Sequence, residues 1–217
     1  MKNLSEKIIS SLRINKVVFL IVFICLLVAN SSCIKSRQVE TFDNIITSKE
    51  AFTKKTLAVL PLRTQSSLTT DSLLSLRRAI NDNLSQKIKL KLPNSKIINV
   101  KKSVNILNEK NKLTVLDNLM TSYDSTGVFD KRLITSLSKD LKCDYIVFSR
   151  LKAQKISIVV LGSEFATSLE VLIIDKRKND VVWTGVGDYK KAGIFKWGKV
   201  DIKLVADELT RLALFKL

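Results

Sequence analysis

The side chains that carry most acid–base and nucleophilic chemistry are absent from this 217-residue chain or poorly placed in it. There is no histidine, which removes Ser-His and Cys-His nucleophile pairs, imidazole general acid/base chemistry and histidine metal ligation. Carboxylate pairs occur at Asp140 with Asp144 and at Asp207 with Glu208, but their neighbours are basic and their positions suit helix caps and solvated faces. A glycosidase holds two carboxylates about 5 to 9.5 Å apart across a cleft, and no spacing here argues for such a pair. Gly185 and Gly187 follow a strand-like run, yet no third glycine closes a phosphate-cradling loop before Gly193, so both read as bulge or strand-end residues. The expectation is a protein without catalysis, cofactor or metal.

One stretch combines groups that bind rather than react. Tyr189 to Lys199, YKKAGIFKWGK, sets Lys190, Lys191, Lys196 and Lys199 among Tyr189, Phe195 and Trp197 with no acid. Rings that bury area beside amines that meet charge suit an anionic lipid surface or an anionic partner. The alternative is a loop whose aromatics cover the base of the last helix.

Cys33 offers a different chemistry, because of what precedes it. Lys2, Lys7, Arg13 and Lys16 lead into an uncharged apolar run from Val17 to Ala29, and small polar residues then reach Cys33, which is the three-part plan of an export signal. As a helix the run covers roughly 20 Å, short of the roughly 30 Å that a stable span must cross. Ser31, Ser32 and Cys33 resemble the lipobox of bacterial lipoproteins, which implies that the thiol is acylated and that Cys33 becomes the N-terminus. Asn30 stands where that box usually has a branched aliphatic residue. Ordinary signal cleavage between Ala29 and Ser32, leaving a thiol, is the alternative. Ile34 follows Cys33 where some bacteria use aspartate to retain lipoproteins in the inner membrane, which points to the outer membrane, facing the periplasm.

Residues 1–32 hold four bases and one acid, so +14 of the net charge of +17 stays with the chain from Cys33 onward. An exported surface this basic is drawn to anionic lipid, anionic cell-wall polymers or acidic protein faces, and export makes nucleic acid an unexpected partner. Cys25 lies in the signal and Cys33 at its end, so Cys143 has no disulfide partner and is expected to pack as a small hydrophobe.

The elements beyond the signal are legible from periodicity. Residues 33–54 read as a lipidated N-terminus and short tether with one helical turn near Thr47 to Phe52, and residues 55–217 as a single domain. Thr56 to Leu62 reads as a strand buried on both faces, followed by a Ser/Thr loop. Thr70 or Asp71 caps a helix with the stripe Leu73, Leu76, Ile80, Leu84 and Ile88, and Arg77, Arg78, Asn81 and Asp82 on its other side. Lys96 to Lys101 is a strand, Ser103 caps a short helix, Leu113 to Met120 is helical, and Tyr123 to Gly127 is a turn. Asp130 opens a helix that leads into the strand Asp144 to Leu151. Lys155 to Leu161, Thr167 to Ile174 and Val181 to Val186 follow as strands, and Asp201 opens a closing helix. This order predicts an α/β fold, a single α/β sandwich with a mixed sheet, a strand-rich C-terminal half and a closing C-terminal helix.

Three segments together resemble a family of bacterial envelope proteins. They are TLAVLPL at Thr56 to Leu62, DLKCDYIVFSRL at Asp140 to Leu151, and VLIIDKRKNDVVWTGVG at Val171 to Gly187. The family includes the CsgG curli-secretion lipoprotein, the LpoB activator of peptidoglycan synthases and the N-terminal domain of TolB. Lys142 and Cys143 stand where it commonly has Gly-Ala. The resemblance implies a periplasm-facing interaction domain with a lipid anchor in the membrane and an envelope protein as partner. It also leaves open an oligomeric secretion channel, for which Lys155 to Ile174 is the one candidate membrane stretch, and activation of a cell-wall synthase. A clickable fatty-acid analogue fed to cells expressing the full chain is expected to label it, and Cys33→Ala is expected to abolish the label. A label that persists in Cys33→Ala overturns the lipid anchor.

Overall fold

Branched aliphatic runs fold here into strands whose successive side chains enter two separate cores. The computed structural model describes residues 35–38, 48–66, 70–158, 162–193 and 201–217, and at 35–38, 66, 70–72, 153–158, 162–165 and 190–193 it describes the backbone alone. In chain order the strands are β1 (Lys35–Gln38), β2 (Thr56–Val59), β3 (Arg63–Ser66), β4 (Lys96–Ile98), β5 (Tyr145–Ile158), β6 (Gly162–Asp175) and β7 (Asp180–Gly193). The helices are α1 (Thr70–Lys91), α2 (Val100–Glu109), α3 (Leu113–Thr126), α4 (Lys131–Leu141) and α5 (Ile202–Ala213), with a 3-10 turn at Lys49–Phe52. One mixed seven-stranded sheet runs β1-β7-β6-β5-β2-β4, with β3 also paired to β5. β2 is parallel to β4 and β5, whereas β5, β6, β7 and β1 are antiparallel in succession. The expected α/β sandwich with a mixed sheet and closing helix is the fold found.

Helices cover both faces. Leu57 and Val59 of β2, Val147 of β5 and Val171 of β6 meet α1 and α5 on one side. Ala58, Ile146, Phe148 and Leu172 meet α2, α3 and α4 on the other. The α1 stripe of Leu76, Ile80, Leu84 and Ile88 is buried as its spacing requires. Asp130 caps α4 through Arg132 N–H at 2.8 Å, and Asp201 caps α5 through Lys203 and Leu204 N–H, both as expected. Cys143 is fully buried, and burial pushes its thiol up to about 12.

Several expectations give way to tertiary contacts. Asn99, rather than Ser103, caps α2, accepting from Lys102 N–H at 2.9 Å, and Ser103 is buried inside the helix. The turn expected at Tyr123 to Gly127 is the last stretch of α3, because Tyr123 stacks on Phe129 with centroids 4.2 Å apart and Gly127 supplies the left-handed cap at φ 70°. The strands expected separately at Asp144 and Lys155 are one, β5, and the candidate membrane stretch Lys155 to Ile174 falls on the end of β5 and on β6, which pairs with it. Its Leu169, Val171 and Ile173 already fill the domain's own core. The segment expected as a tether contributes β1 to the sheet edge, and Phe52 to the core edge-on against Tyr145 at 5.0 Å.

Gly185 and Gly187 lie within β7 rather than at a strand end, and helix packing explains them. A methyl at Gly185 would run into the Ala213 carbonyl oxygen, and one at Gly187 would stand 2.6 Å from the Leu209 carbonyl oxygen. Only glycine lets α5 settle this close to the strand.

Asp144 fastens the start of the sheet. Its Oδ2 accepts from Thr56 N–H at 3.0 Å, and Lys176 Nζ lies 3.4 Å from Oδ1. Burial opposes ionisation, but Thr56 N–H and Lys176 outweigh it and hold the carboxyl below its ordinary value. A depressed folded-state pKa means that the stabilisation is complete above the unfolded-state value near ~3.9 and is lost as pH falls through the lower folded value. Asp144→Ala is expected to cost about 1–3 kcal/mol at neutral pH. Urea unfolding at a series of pH values should show the gap to wild type shrinking below about pH 4; a gap that does not change with pH would contradict the role given to the carboxylate.

Candidate functional site

Two places gather groups that could bind a partner. The first is the β1–β7 edge. In register Lys35 stands opposite Lys190, Ser36 opposite Tyr189 and Arg37 opposite Asp188, so the pairing brings bases from sequence-distant segments to one sheet edge. Of the residues expected to form a surface, Lys190 and Lys191 lie in β7, while Phe195, Lys196, Trp197 and Lys199, like Cys33, lie outside the described residues. Tyr189 is corrected to a core residue, 2% exposed in the cluster beneath α5. Alternation along β7 places it on the same face as Gly185 and Gly187, which α5 covers.

The second place arises where β2 gives way to β3. Leu57 pairs with Tyr145 and Arg63 with Arg150, so this side advances six residues while β5 advances five. The extra residue falls in the break from Leu60 to Leu62, a bulge around Pro61, which has no N–H to give to a ladder. Leu60 N–H still reaches the Val147 carbonyl at 2.9 Å, whereas Leu62 N–H turns to Asn81 Oδ1 on α1 at 3.0 Å. Beyond the bulge Arg63 resumes pairing with β5, while Leu62 is buried in the core shared with α1.

Topology then opens a crevice. The chain leaving β2 continues to α1 on one face, and the chain leaving the adjacent parallel β4 continues to α2 on the other. Diverging connections at the carboxyl ends of neighbouring parallel strands leave a gap where ligands of α/β folds bind. Here it is a cleft of about 470 Å³. Leu62 and Arg63 line it from the bulge, and Arg77 and Asn81 from α1. Val104 of α2 and Leu116, Asp117 and Met120 of α3 complete the wall.

Its electrostatics are uneven. Arg63 Nε bonds Asp124 at 3.0 Å and its Nη1 lies 3.6 Å from Asp117. Arg150 braces the same corner, 2.8 Å from Glu170, 4.0 Å from Asp124 and 5.1 Å over the Tyr123 ring. Arg77 lines the cleft but makes no ion pair among the described residues. Sequence reasoning placed Arg77 and Asn81 on the solvent side of α1. Their i, i+4 spacing beside the apolar stripe was the available signal, but a helix alone does not say what stands over its flank.

Three of the four carboxylates considered for chemistry have structural partners among the described residues, Asp140 being the exception. Asp144 holds Thr56 and Lys176, Asp207 lies 2.7 Å from Lys87, and Glu208 pairs with Arg211 at 2.6 Å. Among the described residues no three His, Cys, Asp or Glu side chains converge as a metal-binding group.

The Arg150–Glu170 pair is mostly buried, at 20% and 23% side-chain exposure. Glu170→Gln is expected to destabilise by about 1–3 kcal/mol because it leaves a guanidinium short of a partner. A cycle of Glu170→Gln, Arg150→Met and the double variant, followed by urea unfolding, should show a coupling of about 0.5–3 kcal/mol. Additive losses would contradict the pairing.

No protein-family model and no curated protein matches the sequence. Similar solved structures include the PelC dodecamer from Paraburkholderia phytofirmans, at 12% identity over 84% of this chain and 98% of that one, TM-score 0.40. Lipoprotein GNA1162 from Neisseria meningitidis is similar at 11% identity over 70% and 91%, TM-score 0.39. The LpoB C-terminal domain from Salmonella enterica is similar at 14% identity over 67% and 85%, TM-score 0.36.

Proposed function

We propose that this chain is a non-catalytic lipoprotein of the bacterial envelope whose α/β domain lies edge-on against the membrane that holds Cys33 and contacts another envelope component from its far side. The observation that carries this reading is β1, which begins two residues after Cys33 and pairs with β7 up to Lys190. Two extended residues span at most about 7 Å. An acyl chain on Cys33 would therefore hold the β1–β7 edge at the lipid headgroups, and basic residues at such a surface are drawn to anionic lipid at about 1 kcal/mol each.

The sheet order sets what faces away. β4 lies five strand spacings from β1, about 24 Å, so the parallel edge and the cleft point toward the periplasm. Ile34 after Cys33 favours the outer membrane. A partner close to the same membrane suits this geometry better than a synthase across the periplasm, since long reach would require β1 to leave the sheet.

Vesicle co-sedimentation of the chain from Ile34 onward, without the apolar run or an acyl group, isolates the surface contribution. Binding is expected to phosphatidylglycerol-containing vesicles over pure phosphatidylcholine, to weaken with salt, and to fall about tenfold or more when Lys190, Lys191, Lys196 and Lys199 become Gln. Unaltered binding of the four-residue variant would show that these lysines do not meet the lipid.

A further inference from the structure

We infer that the cleft between the carboxyl ends of β2 and β4 is a binding site for a small amphiphilic anion, a single carboxylate or phosphate head on a short apolar body. At about 470 Å³ the cleft is of ligand size, within the range of about 300–1,000 Å³ usual for small-molecule sites. Its position is the switch point of the parallel strands, and the bulge at Pro61 brings Arg63 to its rim.

The charge balance selects the head group. Arg63 and Arg77 face a single lining acid, Asp117. Asp117 and Asp124 already engage Arg63, which leaves Arg77 as the lining cation without an ion pair among the described residues. Partly buried and backed by the α1 stripe, its planar fork matches a carboxylate or phosphate edge. The first residue of α2, Val100, also lines the cleft, so the positive end of that helix adds to the same field.

The remaining wall selects the body. Val104, Leu116 and Met120 offer apolar surface, and Leu113, which also lines the cleft, is 40% exposed. A cationic or wholly polar ligand would leave Arg77 or these side chains unmatched.

The test uses the full chain in phosphatidylcholine nanodiscs, titrated calorimetrically with 4-phenylbutyrate, phenyl phosphate and, as a charge-reversed probe, 4-phenylbutylamine. Saturable one-to-one binding is expected for at least one of the anions and not for the amine, and the anion that binds names the head group. Arg77→Gln is expected to weaken it about tenfold or more, the loss of one charge-assisted contact. Val104→Trp should abolish it by filling the cleft without changing charge, and Arg78→Gln, one residue along α1, should leave it unchanged. Thermal unfolding confirms that each variant is folded. No saturable binding of either anion, binding unchanged in Arg77→Gln, or equal binding of the amine each overturns the assignment. None of these outcomes bears on vesicle binding, so the cleft and the membrane edge are tested separately.

Discussion

The sheet is dry on both sides over Leu57 to Val59 of β2, the first residues of β5 and Val171 to Ile174 of β6, and the rest of the molecule answers to that. Leu57, Ala58 and Val59 are fully buried in succession, as are Ile146, Val147 and Phe148. A strand placed this way has no solvent face, so each connection must supply a helix to one face or the other. α1 and α5 close one face; α2, α3 and α4 close the other. Polar groups enter only where they are tied or where their cost is accepted. Ser103, Ser149 and Thr167 carry buried hydroxyls with no partner among the described residues, each a modest penalty against the burial around it. Arg150 and Glu170 are admitted as a pair at the corner where α3 ends.

Close covering also dictates backbone chemistry. α5 sits on β7 so tightly that Gly185 and Gly187 have no room for a side chain, and Tyr189 follows them into the same core. Lys142 ends α4 in the left-handed region at φ 49°, where the resembled family commonly has glycine. The strained cap persists because Cys143 and Asp144, immediately after it, are held by the core and by Thr56.

The same need to serve both faces produces the cleft. β2 and β4 send their chains toward opposite faces, and the cleft lies at their carboxyl ends, lined by Pro61, Leu62 and Arg63 on one side. At the other end of the sheet β1 closes the antiparallel edge with the first residues after the expected anchor. The proposed membrane edge and the proposed ligand cleft thus lie at opposite ends of one sheet. No helix among the described residues is long and apolar enough to cross a membrane.

Fold class was readable because burial imposes periods. The α1 stripe, the Asp130 and Asp201 caps and the continuous apolarity of β2 each follow from local geometry that any such helix or strand must obey. The charge, the lack of histidine and the run ending at Cys33 likewise belong to the sequence itself. What it could not reveal depended on pairs distant in the chain. Arg77 and Asn81 look like solvent residues until Leu62 and α3 are placed beside them. Lys35 looks like part of a tether until it stands opposite Lys190, and Tyr189 looks like a surface ring until α5 covers β7. Periodicity records which face of an element avoids water, and that is local. Which element covers that face, and what the cover leaves open, is settled by contacts across the fold.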